Sequence, residues 1–127
     1  MSQFEKHFTV VEANALLPEL RDLLEAIRAA RDRAALSWEG AVPALRVART
    51  NGGGRAAAEY LHHLQDLNQR VRKLIDLGVQ LKDVDRGLVD FPAWRKDEEV
   101  LLCWHLGEDE VKYWHTLEGG YAGREEL

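Results

Sequence analysis

The sequence predicts an α+β domain: an antiparallel helical hairpin followed by a small antiparallel β-meander. Three observations carry this. An apolar stripe at three- and four-residue steps follows a capping box at Thr9, a second stripe of the same spacing stops at Gly78, and the apolar period then switches to two. With 127 residues, 46% hydrophobic and 31% charged, the chain is too short for two comfortable cores and too apolar for disorder, so residues 1–127 are read as one domain.

Thr9-Val10-Val11-Glu12 has the capping-box pattern, in which the Thr hydroxyl accepts from the Glu amide and the Glu carboxylate accepts from the Thr amide, and Phe8 stands in the staple position. Leu17, Leu20, Leu24, Ile27 and Ala34 form the stripe. Pro18 interrupts it, because proline lacks an amide and crowds the preceding turn. The pattern favours a short first turn over residues 10–16 with Pro18 opening the main helix, 18–36, at its first position; a kink within one helix is the alternative.

A second helix is predicted over residues 55–77, with Tyr60, Leu64, Leu67, Val71 and Leu74 at coiled-coil spacing and Gly78 as its left-handed stop. Residues 1–77 are thus a hairpin with a long linker, 37–53, broken by Gly40, Pro43 and the Gly52-Gly53-Gly54 run. Each helix is about 30 Å long at ~1.5 Å per residue. Leu16, Leu23, Leu61 and Ile75 fall outside the seam and need either the sheet or a second copy of the chain, which predicts a homo-oligomer, a dimer in the simplest case.

Residues 78–127 are the sheet part and an irregular tail. Strands are predicted over 79–84, 88–91, 100–105 and 111–115, with Asp85-Arg86-Gly87 as a bulged turn, 93–98 as a polar loop and Gly107-Glu108-Asp109 as a turn. If Leu106 pairs with Glu110, Leu101 lies opposite His115, and His105 stands about 13 Å further along at ~3.3 Å per residue. One zinc ion, whose ligands lie ~2 Å away, cannot take both rings, and the adjacent His62 and His63 point to different helix faces, so no metal site is expected.

Extending the registers, with Val84 opposite Leu88 and Pro92 opposite Glu99, puts Lys82 opposite Asp90 and Asp90 opposite Leu101. Lys82, Asp90 and His115 then make a candidate polar row on one sheet face. As chemistry it is a shallow pocket in which Lys82 binds an anion and His115, oriented by Asp90, moves a proton. The plain alternative is a cross-strand ion pair of ~0.2–1 kcal/mol beside an unrelated histidine. Trp94, Trp104 and Trp114 read as core or interface payload, and Cys103, between Leu102 and Trp104, as a buried small hydrophobe and not a nucleophile.

The net charge of −5 is unevenly spread: residues 1–77 hold 11 basic against 10 acidic side chains, and residues 78–127 hold 6 against 12. Six arginines (Arg28, Arg31, Arg33, Arg46, Arg49, Arg55) face only Asp32 and Glu39 within residues 28–55, a locally basic hairpin tip. The overall acidity disfavours nucleic acid as a partner. No basic leader with an apolar run opens the sequence and no stretch reaches ~18 apolar residues, so a cytoplasmic chain with no membrane partner is expected; the lone Cys103 allows no intrachain disulfide.

Several segments carry a resemblance: Phe8-Thr9-Val10-Val11-Glu12-Ala13-Asn14-Ala15-Leu16-Leu17-Pro18-Glu19-Leu20, Gly78-Val79-Gln80-Leu81-Lys82-Asp83, Gly87-Leu88-Val89-Asp90-Phe91-Pro92, Leu102-Cys103-Trp104 with Gly107-Glu108, and Trp114-His115 with Gly119 and Arg124. In order and spacing they resemble a bacterial family catalogued as domain of unknown function 2203, over nearly the whole chain. The resemblance implies a cytosolic bacterial protein and brings no activity, substrate or cofactor. It draws attention to Asp83, Glu108 and Arg124 as secondary site candidates beside Lys82, Asp90 and His115, because all six lie in the matching segments. The expected function is a noncatalytic interaction or ligand-binding module that homo-oligomerises, without a cofactor and with a protein or small-molecule partner. A small enzyme using the polar row is the alternative, and phosphate contact through the arginine-rich tip a weaker one.

Overall fold

The computed structural model describes residues 2–47 and 53–127, which fall into two compact units, Glu25–Lys73 and the combination of Met1–Leu24 with Leu74–Leu127. The elements are helices α1 (Val10–Val47) and α2 (Gly53–Asp76), strands β1 (Gln80–Asp83), β2 (Leu88–Arg95), β3 (Glu98–His105), β4 (Tyr113–Thr116) and β5 (Glu125–Glu126), and a 3-10 turn at Tyr121–Gly123. This is the α+β order that the change of period predicts: two helices packed on each other, then an antiparallel sheet.

The capping box forms as expected. The Thr9 amide donates to Glu12 Oε1 at 2.9 Å and the Glu12 amide to Thr9 Oγ1 at 3.1 Å, while Phe8 is buried and meets Phe91 edge-on at 5.4 Å. The Thr9 backbone bond, then its hydroxyl, hold the Glu12 carboxyl below its ordinary range.

The expected break at Pro18 is absent, and one helix runs through it. Ala13, Leu17, Leu20 and Leu24 are at most 2% exposed on both sides of the proline, whose own position is exposed. Burying each leucine gains about 1.5–3 kcal/mol, which together exceeds the ~3 kcal/mol an interior proline costs.

The expected linker at 37–53 is also corrected in its first part, since residues 37–47 are helical. Ala41, 1% exposed, extends the buried row of Ile27, Ala30 and Ala34, and Gly40 and Pro43 occupy exposed positions where they interrupt no packing. The remainder, 48–52, lies outside the described residues, as does Arg49 of the basic tip. Within Glu25–Lys73 the helices pack antiparallel. Asp66 receives Arg70 at 3.2 Å and Arg33 at 3.3 Å, and Trp38 leans on Tyr60 with ring centroids 5.0 Å apart. Arg70 first, and Arg33 with it, hold the Asp66 carboxyl below its ordinary value.

The sheet has five strands in the order β1-β2-β3-β4-β5, one more than the four expected. The extra strand is a two-residue tail segment pairing Glu125 with Trp114 and Glu126 with Tyr113. The β3–β4 register is the predicted one, Leu101 opposite His115. The β2–β3 register is not: Asp90 pairs with Cys103, and Pro92 with Leu101. Residues 93–98 form no polar loop, because β2 and β3 continue to a two-residue turn at Lys96 and Asp97, whose φ of 51° and 64° are those of a type I′ hairpin. Pro92 is tolerated mid-strand because β1 has ended there. Its carbonyl, on the side away from β3, accepts the Phe8 amide at 2.7 Å, so the missing proline N–H is not wanted by a neighbouring strand.

β1 carries a bulge. Gln80 pairs with Asp90 and Leu81 with Val89, but Asp83 pairs with Leu88, leaving Lys82 as the extra residue. Gly87 closes this hairpin at φ 62°, where a Cβ would also strike Leu106 at 2.5 Å. Among the described residues no helix is long and apolar enough to cross a membrane.

Glu99 ties the N-terminal segment to β3. Its carboxylate accepts the Gln3 amide at 2.7 Å, the Phe4 amide at 3.3 Å and the His7 Nε2–H at 2.6 Å, and the His7 ring stacks on Trp94 at 4.6 Å. Burial pushes this carboxyl up, but the Gln3, His7 and Phe4 hydrogen bonds outweigh it and leave its pKa below the ordinary value. A depressed folded-state pKa stabilises fully above the unfolded value near ~4.3, and that stabilisation is lost as the pH falls through the lower folded value. Glu99→Gln should therefore lower the melting temperature at pH 7 and converge on the parent chain in acid. A constant difference between the two from pH 7 to pH 3 would contradict this.

Candidate functional site

One face of the sheet gathers the polar residues. On β2, β3 and β4 the side chains of Asp90, Cys103 and His115 fall on the same side, Asp90 directly opposite Cys103 and His115 diagonal to it across the Cys103–Tyr113 and Leu101–His115 pairs. All three are buried: Asp90 and His115 are 2% exposed and Cys103 1%. Candidate ligand atoms of the three, one from each, lie within 4.8 Å of one another.

The hydrogen bonds define the chemistry. His115 Nδ1–H donates to the Thr116 carbonyl at 2.7 Å, and His115 Nε2 meets Asp90 Oδ2 at 3.0 Å. With Nδ1 carrying one hydrogen, the Nε2–Oδ2 contact holds a second proton between two basic atoms. Asp90 Oδ1 is buried and accepts no hydrogen bond from an N–H or hydroxyl group among the described residues; the Cys103 thiol, a weak donor, lies beside the carboxylate. Oδ1 is the spare acceptor of the site, and a buried acceptor left unpaired costs about 1–3 kcal/mol.

Burial first, and the neighbouring Asp90 carboxylate next, push the Cys103 thiol up to about 12. At neutral pH it is therefore a thiol and not a nucleophilic thiolate. His115 has no ring nitrogen left to face a substrate, which speaks against general-base work by this ring.

A cavity of about 180 Å³ opens on this face, lined by Asp90, Cys103, His115, Lys82, Leu101 and Tyr121 among others. The bulge brings exposed Lys82 to its wall, although Gln80 and not Lys82 is the strand partner of Asp90. The predicted row thus converges on one cavity through a different register. The far wall is the segment after β4. Tyr121 lies under the guanidinium groups of Arg124 at 4.7 Å and Arg86 at 5.2 Å, and Arg124 is fixed by Glu108 at 2.6 Å.

The secondary candidates hold structure. Glu108 Oε1 accepts the His105 amide at 3.0 Å while its other oxygen receives Arg124, and Asp83 Oδ1 accepts the Arg86 amide at 3.2 Å to close the β1–β2 turn. None of Asp83, Glu108 and Arg124 lines the cavity. The residue that sequence reasoning left out is Cys103. Its position in β3 was legible, but its neighbourhood depends on the β2–β3 register.

The model of a family described as "Uncharacterized conserved protein (DUF2203)" matches residues 6–127 of the chain. No curated protein and no solved structure matches it.

Proposed function

The chain belongs to the DUF2203 family, and from that premise we propose that it works as a noncatalytic module binding a compact ligand in the sheet cavity. One observation carries the reading: Asp90, 2% exposed, lines a roughly 180 Å³ cavity and keeps a carboxylate oxygen that no N–H or hydroxyl among the described residues serves. Buried acceptors are paired in the great majority of cases, so this oxygen is the point that a ligand's donor or a cation would complement. The alternative, an enzyme using Lys82, Asp90 and His115, is less well supported, because both nitrogens of His115 are engaged and Lys82 stands at the outer edge.

The test is a thermal-shift panel of inorganic phosphate, small carboxylates, small amines and divalent cations against the chain and its Asp90→Asn variant. One class should raise the melting temperature of the parent and not of the variant. No shift with any class, or equal shifts in both proteins, would overturn the reading.

We also propose that the module self-associates through its helices. Leu36 (68% exposed), Trp38 (47%) and Leu61 (53%) leave apolar surface uncovered on the helical unit. Light scattering at micromolar concentration should give a multiple of the 14.5 kDa chain mass, and a clean monomer mass would sink the proposal.

A further inference from the structure

We infer that Asp90, Cys103 and His115 form a binding site for a borderline transition-metal ion, zinc by its ligand chemistry, with the cavity side left for a fourth ligand. The inference deepens the binding reading above and rests on it. The three side chains offer a carboxylate oxygen, a sulfur and an imidazole nitrogen, which are the three ligand types zinc takes. A sulfur and an imidazole in a set of three exclude calcium and magnesium as preferred occupants, since both take oxygen ligands.

Four details of the site point the same way. The Nδ1–H of His115 is committed to the Thr116 carbonyl, the outer hydrogen bond that histidine ligands make when their other nitrogen holds a metal, so Nε2 is the ligating atom. Nε2 and Asp90 Oδ2 stand 3.0 Å apart, and ligands at ~2.0–2.2 Å on a tetrahedral ion are separated by about 3.4 Å, so a few tenths of an ångström opens that pair, while the set as a whole, spread within 4.8 Å, closes by up to about 1.2 Å around the ion. Asp90 Oδ1 is the spare acceptor already noted, nine-tenths buried and more, and rotation of the carboxylate would offer either oxygen. The charges also close: a carboxylate and a thiolate neutralise a dication, so the loaded site adds no net charge to the interior.

Loading is balanced by the loss of two protons to solvent, one from the Cys103 thiol and one from between His115 and Asp90. The fourth ligand comes from the cavity, where Lys82 and Glu118 both stand on the wall and offset one another, so a neutral oxygen donor such as water keeps the loaded site uncharged.

The test uses the full chain, stripped with a chelator and titrated with Co²⁺, whose absorption reports both thiolate ligation and coordination number. The parent chain should bind one Co²⁺ per chain, with a thiolate-to-cobalt charge-transfer band and the strong visible bands of a four-coordinate ion, and zinc should displace it. Cys103→Ser should abolish the charge-transfer band. Asp90→Asn should weaken zinc binding in chelator competition by more than the ~10–100-fold that loss of an outer partner costs. Should a variant fail to fold, the spectrum of the parent decides alone. Absence of the charge-transfer band from the parent at saturating Co²⁺, or unchanged zinc affinity in a folded Cys103→Ser chain, as adventitious binding at His62 and His63 would give, overturns the metal assignment. Asp90-dependent stabilisation by an organic ligand or phosphate in the panel, with no cobalt band, would overturn the metal and leave the binding reading standing; neither signal would end both.

Discussion

His115→Ala is expected to remove about 3–5 kcal/mol of folding stability, a fall of roughly 12–20 °C in melting temperature for a chain of this size. The ring is 2% exposed and joins Asp90 at 3.0 Å to the Thr116 carbonyl at 2.7 Å. Truncation leaves the Asp90 carboxylate buried without its histidine partner, the situation in which breaking a buried pair is far more damaging than the pair was stabilising. Asp90→Ala should do comparable harm from the other side. Asp97→Asn is the control: Asp97 sits in the β2–β3 turn at φ 64°, where asparagine is also well tolerated, so its effect should stay within ~0.5 kcal/mol. Thermal melts of the three variants decide the matter, and equal melting temperatures for His115→Ala and Asp97→Asn would show that the buried pair holds nothing together.

Trp104→Ala should cost about 3–5 kcal/mol as well, for an apolar reason. Trp104 is fully buried on the opposite face of β3, its Nε1–H donates to the Glu108 carbonyl at 3.0 Å, and Arg21 of α1 lies 5.8 Å from its ring. Removing it opens a large cavity and unseats the β3–β4 turn together. Trp94 is 51% exposed and covered on one side by His7, so Trp94→Ala should be several-fold milder. Denaturant titration separates them, and a Trp94 variant as unstable as the Trp104 variant would mean that the core has been placed on the wrong face.

The contrast between these residues also explains which parts of the fold the sequence makes legible. The Thr9 and Glu12 cap is local, set by four consecutive residues, and forms as read. The Gly78 stop is likewise local, and the Leu101–His115 register is met although β3 and β4 are joined by residues 106–112 with Gly107 at positive φ. The β2–β3 hairpin is hidden because Lys96 occupies a left-handed position that lysine seldom takes, so nothing in 93–98 announces a two-residue turn. The resulting error is a slip of two residues, which preserves the side of the sheet each residue faces. That is why Asp90 and His115 are still placed on one face, while Leu101 takes the seat opposite Asp90 that belongs to Cys103. Lys82 escapes for a different reason, since a bulge is decided by pairing with β2 and leaves no mark in β1 alone. The helix past residue 36 is missed because Gly40 and Pro43 read as breakers wherever they fall, whereas their cost depends on which side of the helix they occupy.

Both margins of the sheet are poor templates for a further strand. On one side β1 is only four residues long and kinked by its bulge, with a lysine as the extra residue. On the other, β5 is two glutamates long, so an incoming backbone would find few amides and carbonyls in line and two negative charges beside them. Short, bent and charged borders are how β proteins discourage ribbon-like aggregation. The route to insoluble cross-β growth is thereby obstructed in the folded chain.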